Sequence, residues 1–204
     1  MTAIVFRGGI ELESPLEMAV GFLEAYPESG MRDASGPESF DERDLRSANR
    51  GGARIAAVES AAILARRDEI EHSLRRIPMD ASLAAATSAV PWEPLTRLFC
   101  AFADIRGVGF SKMTKALHAK RPALIPMLDS VVQAYLTADG PERRSPQPFG
   151  QRATALVRSY KQDLDANASA LEEIQRALVN RGYQLTEVRI LDLLNWSAYS
   201  QSAR

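Results

Sequence analysis

Cysteine, histidine and tryptophan are scarce in this chain: Cys100, His72, His118 and two tryptophans among 204 residues. A lone cysteine closes no internal disulfide, and with two histidines the sequence lacks the ligands of a zinc site or a cysteine-held iron–sulfur cluster. No metal and no cofactor are expected, and a metal site built from carboxylates alone has no support in the pattern. Long apolar runs are also missing. None approaches the ~20 residues needed to cross a bilayer, and residues 1–9 carry no apolar stretch like that of a secretory signal. The expectation is a cytoplasmic protein without membrane contact. An excess of positive charge is lacking too. With 25 basic and 26 acidic side chains the net charge is -1, which argues against nucleic-acid binding through a uniformly basic surface.

What is present is the composition of a globular domain, 46% hydrophobic and 25% charged, with enough residues for one core or two small lobes. Alanine, leucine, arginine and glutamate dominate, and apolar residues recur at three and four rather than at two, which predicts an all-α fold. A short strand is expected near Ala3 to Phe6. Ser14-Pro15-Leu16-Glu17 reads as the start of a helix ending near Ala25. Further helices are expected over 41–50, 54–76, 82–87, 91–103 and 111–119, from Asp129 onward, as a pair after Gly150 divided at 165–167, and over 186–199. Residues 26–38 and 138–150, rich in glycine and proline, read as loops. The chain is expected to act as one unit, 1–204. Within it two helical lobes would flank a cleft, one of residues 53–137 and a second of 1–52 with 149–204.

Charge is unevenly distributed along the chain. Between Asp104 and Asp129 no acidic residue occurs, while Arg106, Lys112, Lys115, Lys120 and Arg121 are basic. Within this stretch a helical pattern runs into Gly107-Val108-Gly109 and a second helix starts at once. Two glycines leave the turn without Cβ atoms and free to adopt positive φ, so a phosphate can approach its amides. The amides and dipole at the start of the second helix point the same way. Val108 would turn inward between the helices, and Lys112 and Lys115 would lie near a nucleic-acid backbone, a design suited to gripping a strand independently of sequence. A plain turn between two packed helices has the same pattern. A dinucleotide loop does not fit, because the preceding segment is helical and a third glycine is missing.

Beyond the hairpin, Lys120-Arg121-Pro122-Ala-Leu-Ile-Pro126-Met-Leu-Asp129 puts a carboxylate at the start of a new helix, 18 residues after Ser111. Over roughly 95–136 the sequence resembles the helix-hairpin-helix (HhH-GPD) DNA glycosylase superfamily, which shares a Gly-hydrophobic-Gly hairpin followed by an aspartate at this distance. The resemblance implies that Asp129 is the catalytic carboxylate and that Gly107, Val108 and Gly109 hold DNA, with Arg106, Ser111, Lys112 and Lys115 beside them. Its closest detail is with the adenine-excising branch, which also has serine at the position of Ser111 and a Leu-Asp pair like Leu128-Asp129. Members that cleave the strand carry a lysine where Ser111 stands, so a monofunctional enzyme without lyase activity is implied. The iron–sulfur cysteines of that branch are missing and the loop before Asp129 has two prolines but no glycine, so adenine specificity does not carry over.

The chemistry asks for the same residues. Breaking an N-glycosidic bond develops positive charge on the sugar, which a carboxylate stabilises while orienting water. A plain helix N-cap is the other common use of aspartate after proline. A flipped base also needs apolar plates and polar readers, for which Asn49, Arg50, Ser111 and Trp196 are candidates. Trp92, Tyr135 and Tyr199 are as well placed for core packing, and His118 for a surface or phosphate contact. The expected partner is double-stranded DNA presenting a flipped modified or damaged base, in repair or in antiviral defence against hypermodified phage DNA. The alternatives are a non-catalytic helix-hairpin-helix DNA-binding module and a helical scaffold.

Overall fold

Ile4–Phe6 (β1) and Ile10–Leu12 (β2) pair as an antiparallel hairpin, with Ile4 opposite Leu12 and Phe6 opposite Ile10. Gly8 and Gly9, at φ of +75° and +73°, make its turn. In this computed structural model residues 3–26, 34–137 and 147–200 are described, Ser200 by its backbone only. The rest of the fold is helical. The elements are α1 (Pro15–Ala25), α2 (Glu42–Arg50), α3 (Ala57–Leu64), α4 (Arg67–Arg75), α5 (Trp92–Cys100), α6 (Phe110–His118), α7 (Ser130–Leu136), α8 (Phe149–Ala166), α9 (Ala168–Asn180) and α10 (Glu187–Ser200). None of the described helices is long and apolar enough to cross a membrane.

Local signals account for many of these boundaries. Pro15 opens α1, although the Ser14 side chain makes no capping bond. Asp41 caps α2 by accepting from the Arg43 amide, and Asp44 returns a bond to the Asp41 amide, the reciprocal arrangement of a capping box. Gly51 and Gly52 end α2, and Asn167 divides α8 from α9. Three expectations are corrected. The helix foreseen over 54–76 is two, α3 and α4, broken at Ala65 and Arg66 without glycine or proline. The helix foreseen over 82–87 is a set of turns ending in a short 3-10 stretch, Thr87–Ala89. The N-terminal strand has a partner, β2, that the sequence reading did not find. The loops expected over 26–38 and 138–150 lie partly outside the described residues, at 27–33 and 138–146.

The buried side chains form one continuous cluster, from Ile4 in β1 to Leu194 in α10. Its closest helix contact is between α5 and α8, where a Cβ on Gly150 would strike the Thr96 carbonyl and Cys100. Thr96 and Thr154 bridge the same seam at 2.8 Å. α4 lies on α5, α2 on α6, and α10 is surrounded by α1, α7 and α9.

Polar braces cross this core. Arg7 of the hairpin meets Asp163 of α8 at 2.9 Å, and Tyr135 of α7 donates to the same carboxylate. Lys120 is fully buried with Asp44 at 2.5 Å and also donates to the Ser35 hydroxyl. Burial pulls the Lys120 ammonium below its ordinary pKa, and the Asp44 carboxylate opposes that shift. Removing one partner strands the other charge in the interior. Lys120→Met is therefore expected to lower unfolding stability by about 3–5 kcal/mol, measured by urea denaturation at pH 7.

Candidate active site

The glycine turn joins α5 to α6. After a turn over 101–104, in which Asp104 has φ of +61°, Val108 donates its amide to the Ile105 carbonyl. Gly107 carries φ of +83°, whereas Gly109 is at −97° and is the N-cap of α6. Val108 is buried and both glycines are exposed. The first amide of α6 with a backbone acceptor is Met113, bonded to Gly109, so those of Phe110, Ser111 and Lys112 have none, the usual state of a helix start. A carboxylate stands beside this turn: Glu59 of α3 lies against Gly107 where a Cβ would project. The Lys112 ammonium holds it at 2.6 Å, and the Ala56 amide at 2.8 Å. These bonds, Lys112 first, keep the Glu59 carboxyl below its ordinary pKa.

From α6 the chain enters a connector in which residues 124–128 are all buried. Side chains satisfy its backbone. His118 donates from Nδ1 to the Ile125 carbonyl at 2.7 Å, Asp192 accepts from Met127 N at 3.1 Å, and Thr114 accepts from Leu128 N at 3.0 Å. Gln133 donates to the Leu128 carbonyl at 2.7 Å. This brace delivers Asp129 to the head of α7, half-buried, where its Oδ1 accepts from Val132 N at 2.9 Å. Asp129 is thus an N-cap. The cap fixes the carboxyl while leaving Oδ2 without a hydrogen bond among the described residues.

Asp129 lines a cavity of about 380 Å³, within the range of small-ligand sites of ~300–1,000 Å³. Phe22 of α1, Tyr26 at its C-cap and Trp196 of α10 build an aromatic wall, with ring centroids 5.0–5.9 Å apart. Arg50, Lys115 and Arg189 bring positive charge, and Asp192 brings a second carboxyl group. Lys115 donates to the Gly51 carbonyl at 3.1 Å. Burial lowers its pKa, and the nearby Asp129 charge works against that shift. Asp192 is 4% exposed and its Oδ1 has no hydrogen-bond partner. Burial raises this carboxyl to about 7. Arg189, the Met127 amide and the Tyr160 hydroxyl oppose the rise, and the Asp129 charge adds to it.

Of the residues singled out by sequence, Asp129, Arg50, Lys115 and Trp196 come together around this cavity, while Ser111 and Asn49 do not line it. Asn49 is engaged elsewhere: its amide group both donates to the Ile55 carbonyl and accepts from the Ile55 amide, bracing the turn after α2. Arg106 is exposed and Ser111 half-buried. His118 is a correction, being 2% exposed rather than a surface group. The basic segment is another, since Lys120 and Arg121 are buried. Arg121 donates to the Leu74, Ile77 and Pro37 carbonyls. Trp92 lies under Arg158, and Tyr135 and Tyr199 pack on each other. Asp192 was missed. Its signal was a carboxylate four residues after Val188 inside the most apolar stretch of α10.

The fold and cavity define a mostly helical protein with a carboxylate-bearing, aromatic-walled pocket beside a glycine turn. No group of three or more potential metal ligands occurs among the described residues. The chain belongs to a family of unknown function (DUF6308), whose model matches residues 17–199. Compared with curated proteins and with solved structures, it matches none. The family match brings no link to the glycosylases, so that resemblance rests on the hairpin and the aspartate alone.

Two predictions follow from this geometry. Gly107→Ala forces a side chain into positive φ at about 1–2 kcal/mol, whereas Gly109→Ala meets open space. Urea unfolding should separate the pair by at least that amount, since a Cβ on Gly107 must also displace the Glu59 carboxylate. The second concerns pH. His118 is depressed to about 4 by burial, so the unfolded chain takes up a proton the folded one refuses, and stability falls by ~3 kcal/mol as pH drops from about 6.5 to 4. Asp192 acts oppositely. Its folded state holds a proton the unfolded state has released, so stability present below pH 4 is lost as pH rises through 7, by up to ~4 kcal/mol. Asp192→Asn is expected to raise the unfolding midpoint at pH 8 and leave it nearly unchanged at pH 4.

Proposed function

We propose that the protein is a monofunctional DNA glycosylase, which hydrolyses the bond between a modified or damaged base and its deoxyribose and leaves an abasic site. The observation that carries this reading is the cavity that opens beside the Asp129 carboxyl, walled by Phe22, Tyr26 and Trp196. Aromatic walls suit an extruded base, because every base has a π face. Breaking the C1′–N bond leaves the bonding pair on the base and positive charge on the sugar. Asp129, oriented by its cap bond to Val132, would stabilise that charge and direct water to C1′. Water loses a proton as its oxygen bonds to C1′, and the departing base gains one. Ser111 has no amine with which to form an imine to the sugar, and the Lys115 amine that lines the cavity is engaged by the Gly51 and Gly52 carbonyls, which favours the monofunctional reading.

The hairpin's share in DNA binding is reduced in charge relative to the sequence expectation. Lys112 is paired with Glu59, which leaves the Gly109 end, the amides at the head of α6 and exposed Arg106 to meet a phosphate. Binding through these groups would be modest and would weaken with salt.

The test is incubation with DNAs carrying damaged bases, and with phage genomes containing hypermodified cytosine, followed by alkali to reveal abasic sites. Alkali-labile breaks are expected with wild type, and a loss of at least a hundredfold with Asp129→Asn. A covalent adduct trapped by borohydride would contradict the monofunctional assignment. DNA binding without breaks on any substrate would favour a non-catalytic binding module.

A further inference from the structure

One buried oxygen in the cavity has no role in the fold. Asp192 uses Oδ2 to accept the Met127 amide, while Oδ1 is buried, unpartnered and part of a residue that lines the pocket. A buried acceptor left unpaired costs about 1–3 kcal/mol, so each such exception calls for a specific cause, a functional role among them. The neighbouring groups do not fill it. Tyr160 of α8 stands beside the carboxyl and its hydroxyl favours the ionised form, but that hydroxyl donates its one proton to the Val188 carbonyl at 2.7 Å, and His118 of α6 gives Nδ1 to Ile125. Lys115 donates to the carbonyls of Gly51 and Gly52. Arg189 lies one turn earlier on α10 and Arg50 at the end of α2, both lining the same cavity. Phe22, Tyr26 and Trp196 present ring surfaces that recognise shape but not hydrogen-bond pattern.

We propose that Asp192 is the base-reading group of this pocket, its Oδ1 accepting an N–H from the edge of the ring, so that the site takes nucleobases with a donor edge, such as adenine, cytosine and their amino-bearing derivatives. The proposal rests on the glycosylase reading for the chemical class of the ligand, and on the cavity and the orphan oxygen for the rest. Specificity of this kind is strong, because a ring without the N–H leaves a buried acceptor unpaired in the complex. It also makes binding pH-dependent. With Oδ2 accepting the Met127 amide, the proton of the neutral carboxyl sits on Oδ1 and turns it from acceptor to donor, so affinity should fall as pH drops below about 7. His118, near 4, stays neutral through that window. Arg189, Tyr160 and Asp129 act on the midpoint rather than on the direction, and Arg50 and Lys115 bring further positive charge to the same cavity.

The test uses bases methylated where the sugar would join, titrated against the full chain and followed by Trp196 fluorescence and calorimetry. 9-Methyladenine is compared with 9-methylpurine, and 1-methylcytosine with 1-methylpyrimidin-2-one, pairs that differ only in the amino group. The expected result is at least tenfold tighter binding of one amino-bearing member over its counterpart at pH 8.5, weakening about tenfold by pH 6. In Asp192→Asn the amide oxygen still accepts from Met127 while its NH2 turns to the ring. That variant should lose the preference and the pH dependence, and its stability at pH 8 reports that it is folded. No binding of any probe, equal binding within each pair, or an unchanged preference in Asp192→Asn overturns the proposal. Discriminating binding without abasic-site formation in DNA would sustain the base-reading role while the glycosylase reading fails. Abasic-site formation without discrimination would do the reverse.

Discussion

The buried connector before Asp129 is the constraint on which the rest of the molecule turns. A segment without helix or sheet has no regular partners for its amides and carbonyls, and burying it unpaired costs several kcal/mol. Here the partners are side chains from three helices: His118 and Thr114 of α6, Gln133 of α7 and Asp192 of α10. That arrangement explains features that look odd in isolation. A histidine is buried without a charge, a threonine sits inside a helix facing the core, and an aspartate occupies the most apolar face of α10. Each closes a backbone bond of the connector, and together they fix where the next carboxylate stands.

The same constraint couples stability to the cavity. Asp192 serves the connector with one oxygen and leaves the other to the pocket, and its burial favours the protonated form. The fold would be more stable at neutral pH with a neutral isostere there. Residues that lower stability in this way are found preferentially where function needs them. His118 has the opposite pH dependence, so the two side chains that brace neighbouring backbone groups offset one another as pH falls.

Charge counted along the sequence overstated the basic surface. Of the five cations between Arg106 and Arg121, two are buried, one pairs with Glu59 and one donates to the turn after α2. Glu59 lies far from the hairpin in sequence, so no local pattern announces it. Its approach to Gly107 also gives that glycine a steric reason to be there, besides its positive φ.

How much was legible in the sequence depended on the range of the cause. Pro15, the capping box at Asp41, the glycines after α2 and the helix start at Asp129 act within a few residues, and they set the all-α fold and most helix ends. The break between α3 and α4 has no local marker. On either side of it α3 is tied to α6 through Glu59 and Lys112, while α4 packs on α5. The pocket behaves likewise: Asp129, Arg50, Lys115 and Trp196 stood out as residue types, but Asp192, Phe22 and Tyr26 acquire meaning only from α1 and α10 closing over the connector. Local sequence determined which segments are helices and where the carboxylate begins one. Tertiary packing decided which oxygen stays unpaired and what faces it, because burial and pairing depend on residues brought from elsewhere in the chain.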